Sequence, residues 1–202
     1  MGNKITVGGV LTEGLSIGLK NVVSLLVATL LWLVTIWIPY LNVGTTIAMT
    51  VIPVELSKGK VISPTFIFDG KYRQYMGEYF TLIGLMSMSI IPALLFMVVP
   101  GLIIALGWSL AFYLLLDKGL APGEALVQSN KATYGYKWTI FGVNFIIMLA
   151  FYILSFIFAL IPFIGALLML VAVLAIVVVS LGCSAVIYRN LTADEQQADA
   201  IE

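Results

Sequence analysis

The side chains that could do chemistry in this chain of 202 residues are charged groups, gathered in short segments between long apolar runs. The chain has ten basic residues, ten acidic residues and no His. Since His is the commonest metal ligand and a frequent general base, its absence removes the simplest routes to acid–base or metal chemistry. Lys and Arg beside a membrane can instead hold lipid phosphates. The segments with this potential contain Asp69, Lys71, Arg73, Glu78, Asp117, Glu124, Lys131 and Lys137.

Five residues of these segments are candidates for contact with a lipid headgroup or a partner protein. Lys and Arg supply positive charge, and Trp favours the interface between lipid and water. Charged side chains that only snorkel into water would produce the same pattern, so the structural interpretation stays open beside the functional one. The candidates are Lys71, Arg73, Lys131, Lys137 and Trp138.

Inside the apolar runs the only polar groups are uncharged, and Asn144 is the most demanding of them. Its amide has two donor hydrogens and an acceptor oxygen, which are costly to leave unpaired in lipid. We expect Asn144 to act as a polar lock between helices or to contact a cavity. No phosphate loop, dinucleotide fingerprint, metal-ligand spacing or nucleophile–base pair occurs. We therefore expect no catalytic residue, no metal and no cofactor.

The composition is that of an integral membrane protein. Hydrophobic residues make up 61% of the chain and charged residues 10%, against about 45–50% and about 25% in soluble domains. So few charges cannot cover so much apolar surface in water, so the solvent must be lipid. The formal net charge is zero, and no basic surface favours nucleic acid.

Three uncharged stretches, 21–54, 79–116 and 138–188, indicate helical hairpins. At about 1.5 Å per residue the second and third are too long for one crossing of a core about 30 Å thick and long enough for two. Pro ends a helix, and a nearby Gly allows the chain to reverse. The predicted turns are at Pro39, at Pro100 with Gly101, and at Pro162.

The fold class that follows is all-α, a polytopic membrane protein with six transmembrane helices arranged as three hairpins. The predicted spans are 21–38, 43–57, 79–98, 101–117, 138–161 and 165–188. The second span is short and contains Pro53, so whether the first hairpin crosses fully or is re-entrant stays open.

Amphipathic helices lying at the membrane interface are predicted before each hairpin, at 6–20, 64–78 and 122–137. Because the three prolines are about 61 residues apart, we interpret the chain as one membrane domain, 1–202, with internal repeats. The repeats are 5–60, 62–119 and 120–190, followed by a short polar tail at 192–202.

The hairpins place every Lys and Arg on one side of the membrane. By the positive-inside rule that side is cytoplasmic, and both termini lie there. The expected location is the bacterial cytoplasmic membrane, with multiple passes.

Three sequence elements carry a resemblance to a known group of proteins. The run VVPGLII lies at 98–104, APGEALVQS at 121–129 and GYKW at 135–138. In this order they resemble bacterial multi-pass proteins that include the membrane domain fused to some glycerophosphoryl diester phosphodiesterases. The resemblance covers about residues 98–141 and implies a link to lipid metabolism or envelope maintenance. It does not imply the phosphodiesterase activity, which in the fused relatives belongs to a separate soluble domain.

The absence of charge within the spans favours a non-enzymatic membrane protein, a scaffold or subunit, or an organiser of lipid. A transporter or channel for small solutes or ions is the alternative, since repeats and broken helices are common in transporters. A lipid-modifying enzyme that uses the charged segments is a third hypothesis. The expected partners are membrane lipids, with other membrane proteins or a homo-oligomer left open.

Overall fold

The protein is all-helical. The computed structural model describes residues 5–199, with side chains through residue 193, and no strand occurs among them. Residues 200–202 of the expected polar tail lie outside the described residues, as does Lys4. The helices are α1 Val7–Lys20, α2 Val22–Thr35, α3 Pro39–Ser57, α4 Met76–Phe96, α5 Val98–Gly107, α6 Ala111–Lys118, α7 Pro122–Ala132, α8 Lys137–Ala159 and α9 Gly165–Asp199.

Several helical segments are long and apolar enough to cross a membrane. Four qualify singly, and α1 and α2 qualify together as a fifth, although they are bent by 79° relative to each other. The helix α3 is not among them. The four are Gly70–Phe96, Val98–Lys118, Lys137–Ala159 and Gly165–Ala193.

The C-terminal half of α3 is enclosed by protein, whereas Tyr40 near its start is exposed. Its side chains from Val51 to Ser57 are all buried, and it packs against α2, α6 and α9. Two hydrogen bonds join it to α2, one between the hydroxyls of Thr35 and Thr45 at 2.8 Å and one from the Trp32 indole to Thr46 at 2.9 Å. A helix surrounded by other helices can carry hydroxyl groups because its partners satisfy them.

The amphipathic helix predicted at 64–78 is absent over most of that segment. Two 3-10 helices, Phe66–Phe68 and Gly70–Tyr75, fill this segment, and α4 begins only at Met76. Asp69 between them has an extended backbone, and its carboxylate accepts a 2.9 Å hydrogen bond from the Lys71 amide. Asp often bonds the backbone two residues ahead in this way, which competes with helix formation.

The helix α1 packs closely along α9. A Cβ added to Gly182 would lie 2.1 Å from the Gly14 carbonyl oxygen, and one added to Gly18 would lie 2.9 Å from the carbonyl oxygen of Val178. Small residues allow two helix backbones to approach this closely. An ion pair between Glu13 and Arg189 joins the same two helices.

The turn expected at Pro100 and Gly101 is displaced. The chain breaks at Met97, which is extended, and both residues lie in the first turns of α5. Pro is tolerated there because its missing N–H has no partner in the first turn. Gly101 serves close packing instead, since a Cβ at that position would lie 2.7 Å from the Leu94 backbone nitrogen of α4.

The other two proline turns lie where they were expected. Pro39 is the first residue of α3, directly after the turn at the end of α2. Pro162 lies between α8 and α9, and its carbonyl accepts a 2.8 Å hydrogen bond from the Ile164 amide. Phe163 has a left-handed backbone with φ of 64°, and Gly165 starts α9 where a side chain would meet the Phe158 carbonyl oxygen.

Candidate functional site

An ionic cluster joins the ends of α3 and α6. Lys58, which follows α3, pairs with Asp117 of α6 and lies 3.5 Å from Glu55. Lys60 pairs with the other oxygen of Glu55. The side chains of Glu55 and Asp117 are each 11% exposed, so both carboxylates are largely removed from solvent and both are paired.

Tyr188 of α9 completes this ionic cluster, which we define as Glu55, Lys58, Lys60, Asp117 and Tyr188. The hydroxyl of Tyr188 donates a 2.6 Å hydrogen bond to Oδ2 of Asp117, and its ring packs edge-on against Tyr113 with centroids 5.8 Å apart. Three helices distant in sequence therefore meet at one carboxylate. Asp117 and Tyr188 are 71 residues apart, so no local sequence pattern indicates that they pair.

The charge of Lys58 is stabilised within the ionic cluster. Burial lowers the pKa of its ammonium group, but the hydrogen bond to Asp117 and the charges of Asp117 and Glu55 outweigh burial, so the pKa is raised. A lysine held in this state is a fixed cation and not a proton donor near neutral pH. The cluster is therefore suited to joining helices rather than to acid–base chemistry.

The span formed by α5 and α6 is broken at residues 108–110, and α7 clamps the break. Ser129 donates a 2.8 Å hydrogen bond to the Gly107 carbonyl and accepts a 3.1 Å bond from the Leu110 amide. Thr133, the residue directly after α7, donates a 3.0 Å hydrogen bond to the same carbonyl. Both hydroxyl residues are fully buried. Irregular backbone at membrane depth needs such partners, because lipid supplies none.

A groove lies between α5 and the start of α8. Its volume is about 360 Å³, its floor is apolar, and its rim is formed by the segment from Tyr134 to Trp138. Trp138 is 68% exposed, so its indole is available to lipid. The Lys137 ammonium donates a 2.8 Å hydrogen bond to Oδ1 of Asn130 and has no carboxylate partner among the described residues. The floor residues are Val99, Leu102, Ile103 and Leu106. This arrangement is an apolar groove with one cationic side chain, Lys137, among its lining residues.

The other predicted contact residues lie apart from the groove. Lys71 lies in the second 3-10 helix, with its ammonium 5.4 Å from the centre of the Tyr72 ring. Arg73 packs against α3, where a Cβ on Gly44 would lie 2.7 Å from its Nε atom. Lys131 lines a shallow surface depression along α7. Of the five candidates, the structure brings only Lys137 and Trp138 together.

Asn144 does not lock two helices together. Its amide nitrogen donates a 3.0 Å hydrogen bond to the Ile140 carbonyl of its own helix. A lock would need a partner on another helix, and no such bond to Asn144 occurs within residues 5–193. Asn144 is exposed and lines a polar cavity between α6, α8 and α9.

Comparison with known proteins gave no match to a family model, to a curated protein or to a solved structure. The described part of the chain also brings no three His, Cys, Asp or Glu side chains together as a metal site. Function is therefore inferred from the geometry of the groove, the ionic cluster and the polar cavity.

Proposed function

We propose that this is a non-enzymatic integral protein of the bacterial cytoplasmic membrane that organises lipid by holding an anionic phospholipid in the groove between α5 and α8. The observation that carries the proposal is the apolar groove with the cationic side chain of Lys137 among its lining residues. A phospholipid has the matching chemistry, since its acyl chains are apolar and its headgroup phosphate is negative.

Placement in a membrane is supported by large apolar side chains on the outer faces of the qualifying helices. Met88, Leu95, Phe156 and Leu167 are each more than half exposed. Exposed apolar surface on this scale marks contact with lipid or with a partner. In the proposed arrangement the charged segments with both termini lie in the cytoplasm. The hairpin of α2 and α3 is re-entrant, because Arg73 of a charged segment packs against Gly44, only five residues after Pro39.

The rim residues suit the level of the headgroups. Trp138 and Tyr134 are both exposed, and aromatic side chains with a polar edge concentrate at the boundary between lipid and water. Lys137 lies between them in sequence, and Asn130 orients its ammonium group. A phosphate could replace water around this ammonium while the acyl chains lie along Leu102 and Leu106.

A non-enzymatic role is supported by the state of the two most enclosed carboxylates. Glu55 and Asp117 each accept hydrogen bonds from lysine, and Asp117 also accepts one from Tyr188. A general base needs a lone pair free to reach substrate. Here the lone pairs hold α3, α6 and α9 together.

Retained lipid tests the proposal. The protein would be reconstituted in vesicles of equal phosphatidylglycerol and phosphatidylcholine, extracted in mild detergent and examined by native mass spectrometry. We expect bound phosphatidylglycerol to exceed phosphatidylcholine, and Lys137→Gln to reduce this preference about fivefold, since one Lys near a membrane surface contributes about 1 kcal/mol toward anionic lipid.

Two further variants separate the parts of the site. Ile103→Trp should fill the floor of the groove and reduce retention of both lipids alike. Lys20→Gln removes an exposed cation of α1 and should leave the lipid ratio unchanged. Equal ratios in the wild type and Lys137→Gln, or an equal loss in Lys20→Gln, would contradict the proposed site.

A further inference from the structure

A second cavity, lined largely by polar groups, lies between α6, α8 and α9. Its volume is about 170 Å³. It borders the break between α5 and α6, where Ser109 and Leu110 contribute to its wall. The polar groups that line it are Ser109, Tyr113, Asn144, Ser180 and Ser184. No charged residue is among the lining residues.

The hydrogen-bonding capacity of this lining is only partly used. Ser109 donates a 2.9 Å hydrogen bond to the Leu106 carbonyl, and Tyr113 and Ser184 interact through their side chains. The Asn144 amide nitrogen bonds within its own helix, which leaves the amide oxygen without a donor in the described part of the protein. No hydrogen bond holds the Ser180 hydroxyl among the same residues. Asn144 is exposed, so the cavity is open on its side. The amide oxygen of Asn144 on α8 and the hydroxyl of Ser180 on α9 are therefore available to a ligand.

The cavity lies at membrane depth in the proposed placement. At about 1.5 Å per residue, Asn144 is about 10 Å along α8 from Lys137, and Ser180 is about 13 Å along α9 from Arg189. Both lie within the half of the hydrocarbon core nearer the charged segments. Polar groups there must be satisfied from inside the protein, because lipid offers no hydrogen bonds. At about 30 Å³ per molecule the cavity accommodates about five waters.

We infer that this cavity is a binding site for a small neutral solute bearing hydroxyl or amide groups, of about the size of glycerol or urea. The lining supplies donors and acceptors but no counter-ion, and an unpaired charge is very costly to bury. A neutral polyol or amide satisfies the free groups of Asn144 and Ser180 without that cost. The inference uses the membrane placement of the proposed function but not its lipid groove.

Cysteine labelling tests the site. In a Cys183→Ala background, Ser180→Cys would be treated with 2-aminoethyl methanethiosulfonate in vesicles, and labelling followed by intact mass. Ser184→Cys, at another partly buried lining position, gives a second readout should Ser180→Cys not fold. The matched control is Ile146→Cys, two residues further along α8 and exposed on its outer face.

Ser180→Cys should react about tenfold faster than Ile146→Cys, because only the thiolate reacts and hydrocarbon keeps a thiol protonated. Glycerol, urea or acetamide should slow the labelling of Ser180→Cys by at least about twofold when its concentration nearly saturates the site. Equal labelling rates for Ser180→Cys and Ile146→Cys would overturn the inference. If both were slow the cavity would be closed to water, and if both were fast the membrane placement of α8 would itself be wrong. Fast labelling that none of the three solutes slows would also overturn it.

Discussion

Tyr188 and Asp117 form a hydrogen bond of 2.6 Å between helices whose residues lie far apart in the sequence. Tyr188 is fully buried, and the same carboxylate also pairs with Lys58 at the end of α3. A single side chain thus connects the end of α3 with α6 and α9. The ionic cluster therefore joins three helices that are distant in sequence, and the following predictions test it together with the contacts that position the groove.

Replacing Tyr188 with Phe keeps the ring and removes the hydrogen bond to Asp117. We expect a loss of about 2 kcal/mol in the free energy of unfolding, as is usual for a bond to a charged group. Unfolding in mixed micelles with increasing dodecyl sulfate would measure it. The control is Tyr152→Phe, on the exposed face of α8, which should change stability little. Equal stability of Tyr188→Phe and the wild type would show that the hydrogen bond contributes nothing.

Lys58 should make a contribution to stability that depends on pH in the alkaline range. Because its folded-state pKa is raised above the ordinary value of 10.5, the contribution is complete below about pH 10.5 and is lost as the pH rises through the folded pKa. The stability difference between the wild type and Lys58→Met should therefore be constant from pH 7 to 9 and shrink above about pH 10.5.

Thermal unfolding in maltoside detergent at several pH values would follow that difference. Lys20→Met is the control, since Lys20 is exposed on α1 and should show no such alkaline change relative to the wild type. A Lys58→Met difference that stays constant up to pH 11.5 would contradict the role given to the ionic cluster.

The contact between α1 and α9 should not tolerate a side chain at Gly182. Gly182→Ala places a Cβ 2.1 Å from the Gly14 carbonyl oxygen, and overpacking of this kind costs about 1–3 kcal/mol. Gly84→Ala in α4 is the control, because nothing lies within 4 Å of its added Cβ. Thermal unfolding should show a lower midpoint for Gly182→Ala alone, and equal midpoints for the two variants would count against the contact.

The hydrogen bonds from Ser129 and Thr133 to the break between α5 and α6 should limit local unfolding of that break. Ser129→Ala removes the partner of the buried Leu110 amide, which costs about 1–3 kcal/mol when left unsatisfied. Hydrogen exchange of residues 108–113 should therefore become faster in this variant. Ser155→Ala removes a bond within α8 only and should not alter exchange there. Unchanged exchange at residues 108–113 in Ser129→Ala would show that α7 does not hold the break.

The sequence predicts the helices of this protein better than the contacts between them. Length and charge limit the apolar runs, so α8 and α9 follow from hydropathy, and the prolines mark two of the three turns. The break at Met97 has no such signal, because one extended residue between two apolar helices leaves the composition unchanged. The helix predicted at 64–78 does not form over most of that range, because the Asp69 carboxylate accepts a hydrogen bond from the Lys71 amide and interrupts the helix.

The site was predictable only where its residues are close in sequence. Lys137 and Trp138 were identified together because they precede a long apolar run. Tyr188 and Asp117 are paired by the fold, and spacing carries no information on that pair. Ser129 and Thr133 do leave a signal, since two hydroxyls four residues apart share one helix face. Their target, the Gly107 carbonyl, is backbone and is invisible in a sequence pattern.

The central claim is that the second and third uncharged stretches cross the membrane as hairpins while every charged segment stays in the cytoplasm. Two single-cysteine variants in a Cys183→Ala background test it most directly in intact cells. They are Phe163→Cys, at the fully exposed turn between α8 and α9, and Gln74→Cys, in the second 3-10 helix. With a membrane-impermeant maleimide, Phe163→Cys should be labelled from outside, and Gln74→Cys only after the cells are broken. Labelling of Gln74→Cys in intact cells, with Phe163→Cys protected, would contradict the orientation and the cytoplasmic lipid site that depends on it.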